Sequence, residues 1–205
     1  MCVEPRSQCL QTCDTLAVVT VGKLGYMCAL VVLAVGCERA PLDCPSIEPG
    51  SLVITEITSG EDGGGLGEWI ELFNASNATI DLLGTRIEFT TLDGGSTQEF
   101  TVRRQLTVGA GAYVTFGRFA DEGRPDHIDY GYASDLDTSF LSRAAVEVVV
   151  CGEEVDQAIY RELPADGSLA LDGAVAPSAT TNDVEANFCT DSLGGTPREE
   201  NRPCT

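Results

Sequence analysis

Hydrophobic and polar positions alternate in short runs along most of the chain from Ser51 onward. Leu52-Val-Ile-Thr-Glu-Ile57 is the first such run, and Glu68-Trp-Ile-Glu-Leu-Phe-Asn74 is the second. Thr79-Ile-Asp-Leu-Leu, Thr85-Arg-Ile-Glu-Phe-Thr90, Glu99-Phe-Thr-Val102 and Ala112-Tyr-Val-Thr-Phe-Gly117 follow. Ala145–Cys151, Glu154–Tyr160 and Ser168–Leu171 complete the series. Glycine-rich turns separate them at Gly60–Gly65 and Asp93-Gly-Gly95. A period of two places alternate side chains on opposite faces of a strand. No helical period is sustained. The pattern predicts about eight short strands and an all-β sandwich or barrel. Residues 118–143 are long, polar and irregular, and are expected to form a mobile surface excursion. Residues 173–205 are also poor in periodicity, and Cys189 and Cys204 are expected to tie them down.

The pattern before Ser51 is different. Residues 24–36 form an apolar run with Lys23 ahead of it. A basic residue, a short apolar run and small residues at its end predict a secretory signal over residues 1–36. The run is short for a membrane span. Its end, Leu33-Ala-Val-Gly-Cys37, resembles the lipobox of bacterial lipoproteins, with Ala34 where that motif usually has Leu. The resemblance implies that Cys37 is lipidated and becomes the new N-terminus. Glu38 follows it, and by the same resemblance favours the outer membrane. Residues 37–50, with three prolines, read as the anchor cysteine and a tether. The first 20 residues carry Cys2, Cys9 and Cys13 ahead of the only lysine, so translation is expected to begin near Val21.

Composition narrows the function. The chain has 205 residues, 43% of them apolar, enough for a real core. Its 32 acidic and 12 basic residues give a net charge of −20. Such a surface repels nucleic acid and anionic headgroups and favours solubility. There are nine cysteines and a single histidine, without zinc-ligand spacing. Removing residues 1–36 and counting Cys37 as lipidated leaves Cys44, Cys151, Cys189 and Cys204. An even number suits a disulfide framework in an oxidising compartment. Sandwich termini often lie close together, which favours 44–204 with 151–189.

Candidate chemistry is sparse. Glu56, Glu68, Glu71 and Asn74 read first as structural groups bonded to turn backbone. The alternative is a Ca²⁺ site drawn from Glu56, Asp62 or Glu68. Glu68 and Glu71 are three apart and so lie on opposite strand faces. Which face of the second run is core stays open. Trp69 is expected in the core, and His127 in an exposed loop. No nucleophile elbow, phosphate loop or catalytic set occurs, and no cofactor is expected. The sequons Asn74-Ala-Ser76 and Asn77-Ala-Thr79 read as turn chemistry.

The order of the runs is similar to one family. Leu52–Ile57, Gly67-Glu-Trp-Ile-Glu-Leu-Phe-Asn74 and Ile80-Asp-Leu-Leu-Gly84 resemble the opening of lamin-tail domains. Leu106–Val114, Val155–Tyr160, Gly167–Leu171, Phe188-Cys189 and Gly195-Thr-Pro197 to Cys204 resemble later segments. The likeness spans residues 51–204, with Phe188 where the family has Trp. It implies an immunoglobulin-like β-sandwich over residues 51–205 and a non-enzymatic interaction module. The leading expectation is therefore an exported cell-envelope module, held to a membrane by lipid on Cys37, with an envelope component or protein as partner. A Ca²⁺-dependent adhesion module and an accessory to an exported hydrolase are the alternatives.

Overall fold

A computed structural model describes residues 45–60 and 65–205. Two sheets face each other across one apolar core. The first sheet has the order β12 (Phe188–Asp191), β11 (Ser168–Leu171), β1 (Leu52–Thr58), β2 (Trp69–Asn74), β7 (Tyr113–Gly117), β8 (Tyr130–Gly131). The second has the order β10 (Glu153–Tyr160), β9 (Ala144–Val150), β4 (Arg86–Thr90), β5 (Thr97–Thr101). A small ladder pairs β3 (Ile80–Asp81) with β6 (Thr107–Val108). Helix among the described residues amounts to one turn, α1 (Ala179–Asn182), and a 3₁₀ turn at Glu185–Asn187. The fold is a β-sandwich, one of the two architectures the alternation predicts, and it is immunoglobulin-like, as the resemblance implies.

The core follows from that alternation. Ile70 and Leu72 of β2, Val114 and Phe116 of β7, Ile87 and Phe89 of β4, and Val146 and Val148 of β9 meet between the sheets. Phe100 of β5 packs between Phe116, at 5.7 Å, and Tyr132, at 4.3 Å between ring centroids. Burying these large side chains supplies the main driving force for folding, about 1.5–3 kcal/mol for each.

The strand β1 departs from strict alternation. Its register with β2 shifts between Ile54 and Glu56, so Thr55 is an extra residue. That bulge lets Ile54 and Ile57 both face the core although they are three apart. It also turns Thr55 and Glu56 together toward the opposite face. A second bulge falls in β10, between Glu154 and Asp156.

Residues 118–143 correct the expectation of a mobile excursion. Ile128, Tyr130, Tyr132, Leu136 and Phe140 are buried. The segment passes from one sheet edge to the other. On the first sheet, β8 pairs parallel with β7, and Asp129 accepts the Thr115 N–H at 3.0 Å. On the second, Asp135 accepts the Thr101 N–H at 3.1 Å, and the Tyr130 hydroxyl donates to Thr101 O at 3.0 Å. Both are bonds on the edge strand β5. The segment therefore closes one side of the sandwich and occupies edge groups that would otherwise be free to pair with another chain.

Candidate functional site: buried carboxylates and a covered sheet face

Glu68 precedes β2 and turns into the core. Its side chain is fully buried, and it accepts from the Tyr132 hydroxyl at 2.9 Å and the Phe140 N–H at 2.9 Å. Arg118 approaches it at 3.3 Å. Burial raises its pKa, while the Phe140 and Tyr132 bonds and the Arg118 charge hold the rise back. Glu68 thus pins both ends of the 118–143 closure to the first sheet. A buried carboxylate persists only with such partners.

His127 belongs to the same closure. It is half-buried, with Nε2 at 2.9 Å from Leu66 O and its ring edge-on to Phe119. It is not the exposed loop residue that its polar surroundings predicted. The apolar residues of the closure carry the loop inward and His127 with it.

The other face of the first sheet is covered as well. Glu56 and Glu71 are cross-strand partners, and both are fully buried. Glu56 accepts from the Ser168 hydroxyl and from the Thr196 N–H at 3.0 Å. Glu71 accepts from the Thr55 hydroxyl at 2.8 Å and the Arg198 N–H at 2.6 Å. The donors Thr196 and Arg198 lie in residues 192–204, which run over this face as a strap. Asn201 secures it further by donating to Thr55 O and Leu171 O, each at 2.9 Å. Gly195 crosses directly above Trp69, which is fully buried.

The two carboxylates under the strap affect each other. Burial raises the pKa of both, and the Glu56 charge adds to the rise at Glu71, which lies well above the usual range. Like charges this close and this dry resist joint ionisation. The strap's backbone N–H groups offset part of that cost.

The strap is closed covalently by a Cys189–Cys204 disulfide, with Cα atoms 5.9 Å apart. This corrects the expected 44–204 and 151–189 pairing. The chain's C-terminus does not return to the start of β1. It folds back beside β12, where the Cys204 N–H donates to Asp172 at 2.9 Å. Cys151 is also disulfide-bonded. Its expected partner, Cys189, is held by Cys204, and Cys2, Cys9, Cys13 and Cys28 lie outside the described residues. Cys37 and Cys44 lie outside them too. The Cys189–Cys204 loop spans 15 residues. Closing a loop of that length contributes about 3 kcal/mol through the unfolded chain. Cys204→Ser is expected to lower stability by about that amount in non-reducing urea denaturation. Equal stability with and without the bridge would contradict this.

A family model described as Lamin Tail Domain matches residues 45–161, more than half of the 205-residue chain. The chain belongs to the lamin tail domain family. No curated protein matches it. The matched part of the lamin-tail domain runs from β1 through β10 and holds Glu56, Glu68 and Glu71. Beyond it, β11 still pairs with β1 and β12 with β11, so residues 168–191 extend the same sheet. The family is an immunoglobulin-like, generally non-catalytic structural and interaction domain.

Two of the residues singled out for Ca²⁺, Glu56 and Glu68, lie on opposite faces of the first sheet. Glu68 faces the core and Glu56 faces the strap, each with its own protein donors. Asp62 lies outside the described residues. Among the described residues, no group of three or more His, Cys, Asp or Glu side chains is arranged to hold a metal ion. Asn74 is buried and donates to Ala78 O, Val108 O and Gly109 O, which fixes the β2–β3 turn.

Among the described residues, the outer side of the second sheet is half-exposed. The outer side of the second sheet carries Glu99, Glu88, Glu147 and Gln157 in one cross-strand row. Arg86 pairs with Glu88 and reaches Glu99 at 3.5 Å, and Gln157 donates to Glu147 at 3.2 Å. Like charges directly opposite on neighbouring strands weaken a sheet unless they are bridged. The row, with half-exposed Arg86 as its bridge, accounts for part of the chain's acidity.

Proposed function

We propose that this lamin-tail domain is a non-catalytic interaction module of the cell envelope, anchored to a membrane by lipid on Cys37. Family membership supports the interaction-module part of this reading, since lamin-tail domains are structural and interaction domains. Three further features support it. The apolar run at 24–36 ends in small residues before Cys37, as in a lipoprotein leader. Residues 38–44 supply the tether in this reading, since Ile47 already packs on the core and the Gly50 N–H donates to Val155 O. The Cys189–Cys204 bridge and a bonded Cys151 suit an oxidising compartment.

In this reading the partner meets the exposed second sheet, because the first sheet's outer face is covered by the strap. An acidic surface favours a basic protein or envelope component over nucleic acid. The anchor is tested by metabolic labelling with radioactive palmitate. Wild-type protein takes up label and Cys37→Ala does not. An unlabelled wild type would remove the anchor from the proposal and leave an exported, unattached module.

A further inference from the structure

The bulges of β1 and β10 meet at a polar cluster that the interaction reading does not use. The β1 bulge leaves the Ile54 N–H without a ladder partner, and Asp156 Oδ2 accepts it at 2.8 Å. Asn182, the last residue of α1, donates through Nδ2 to the same Oδ2 at 2.6 Å and to Ile54 O at 3.3 Å. Both amide protons of Asn182 are therefore engaged, and its orientation is fixed: a flipped amide would set oxygen against two acceptors.

That geometry leaves two oxygens unsatisfied. Asp156 Oδ1 and Asn182 Oδ1 are buried and accept no well-formed hydrogen bond from the described residues, although the Gln157 N–H also lies near the Asp156 carboxyl. Their residues are 3% and 1% exposed. Buried acceptors without donors are costly, and two on side chains already bonded to each other call for a common explanation. A neutral carboxylic acid and a primary amide supply one. The acid's carbonyl accepts from the amide N–H, and the acid's O–H donates to the amide oxygen. The first of these two bonds is present between Asp156 and Asn182. A proton on Asp156 Oδ1 would supply the second.

We propose that one proton, held on Asp156 Oδ1 and donated to Asn182 Oδ1, locks α1 onto the bulges of β1 and β10, and that its loss loosens the C-terminal segment from the sandwich. Asp183 is the charged neighbour that favours retention of the proton. Asp183 follows Asn182 on α1, Glu153 and Glu154 precede Asp156 on β10, and Glu48 lies in the chain entering β1. Glu56 on β1 is engaged by Ser168 and Thr196, and Glu147 on β9 by Gln157. Arg161, beyond β10, is paired with Glu185 of the 3₁₀ turn. Burial, opposed by the Ile54, Asn182 and Gln157 bonds and aided by the Asp183 charge, pushes Asp156 up to about 7 from an ordinary 3.8. The helix turn moves as a unit, because Ser178 and Thr181 cap it reciprocally.

The sign of the pH dependence follows. An acid whose folded-state pKa is raised stabilises the docked state fully below its unfolded pKa and loses that contribution as pH rises through the folded value. Opening of α1 is therefore expected to increase about tenfold per pH unit between roughly pH 4 and pH 7, then level off. Two measurements on the intact domain test this. The Asp156 carboxyl ¹³C shift is expected to stay that of a neutral acid through pH 6 and to titrate near 7. Hydrogen exchange at the Ile54 and Asn182 amides, corrected for intrinsic rates, is expected to show the tenfold steps in wild type. Asp156→Asn keeps the oxygen acceptor and supplies a permanent N–H to Asn182 Oδ1, so its protection is expected to be independent of pH. A carboxylate ionised from pH 5 upward, as a bridging water would permit, overturns the proposal. So does the same pH slope in wild type and Asp156→Asn.

Discussion

Glu68→Ala is expected to destabilise the domain by about 3–5 kcal/mol. The substitution leaves the Tyr132 hydroxyl and the Phe140 N–H buried without an acceptor and removes the counter-charge of Arg118. An orphaned buried donor costs about 1–3 kcal/mol, and the loss of one partner of a buried charged network reaches the upper end of that scale. For a domain of this size, the fall in melting temperature is about 10 °C. Because the donors belong to the 118–143 closure, the loss is also expected to be local. Limited proteolysis of Glu68→Ala should cut first within 118–143, where Arg118 and Arg143 supply trypsin sites. Glu68→Gln keeps one acceptor oxygen and is expected to cost about half as much. A loss below 1 kcal/mol for the alanine variant would show that the closure is held by its apolar residues alone.

Gly195→Val is expected to lift the strap. Gly195 sits at φ +91°, a conformation that a β-branched residue adopts only under strain. A Cβ there would lie 2.8 Å from Glu56 Oε1, 2.8 Å from Trp69 Cζ2 and 3.2 Å from Ser168 Oγ. Backbone strain and overpacking together amount to about 3 kcal/mol. The strap has an escape that the sheets do not, since it can leave the face while the Cys189–Cys204 bridge keeps its ends in place. Trp69 is the only tryptophan, so its fluorescence reports on the strap alone. Red-shifted emission and increased acrylamide quenching are expected in Gly195→Val, with the far-ultraviolet β signature retained. Unchanged emission would mean that the strap does not shield Trp69.

Much of this fold is legible in the sequence where one physical rule acts alone. The runs at 85–90 and 145–151 alternate because one side of each strand meets the core, and the strands there, as at 52–57 and 112–117, fall close to where the pattern places them. The second run left two faces open because both are buried. Ile70 and Leu72 meet the core, while Trp69 and Glu71 meet the strap, so hydrophobicity alone does not distinguish the faces. The bulge at Thr55 is invisible to a period of two, and with it the pairing of Glu56 with Glu71. In the 118–143 closure a signal was available. Ile128, Tyr130 and Tyr132 alternate with polar or small residues, and they are buried. The acidic and arginine residues around them mask it, because Arg104 and Arg124 engage Asp121 in ion pairs that hold the loop down instead of solvating it. The disulfide pairing depended on where the C-terminus goes. That is decided by hydrogen bonds from Asn201 and Cys204 to distant strands, which no local pattern announces. The same holds for Asp156, an ordinary strand carboxylate in sequence that gains its role from a bulge and a helix turn far along the chain.

The central claim is that a disulfide-closed lamin-tail domain is held at a membrane through Cys37. Intact-mass spectrometry of the protein extracted from envelope membranes, before and after reduction, tests it most directly. The account predicts a chain beginning at Cys37 with acyl groups on that residue, and bridged peptides that include Cys189 joined to Cys204. A chain recovered with residues 24–36 still attached, or cleaved elsewhere without an acyl group, would contradict the anchor. Free thiols at Cys189 and Cys204 in freshly extracted, alkylated protein would contradict the closed strap.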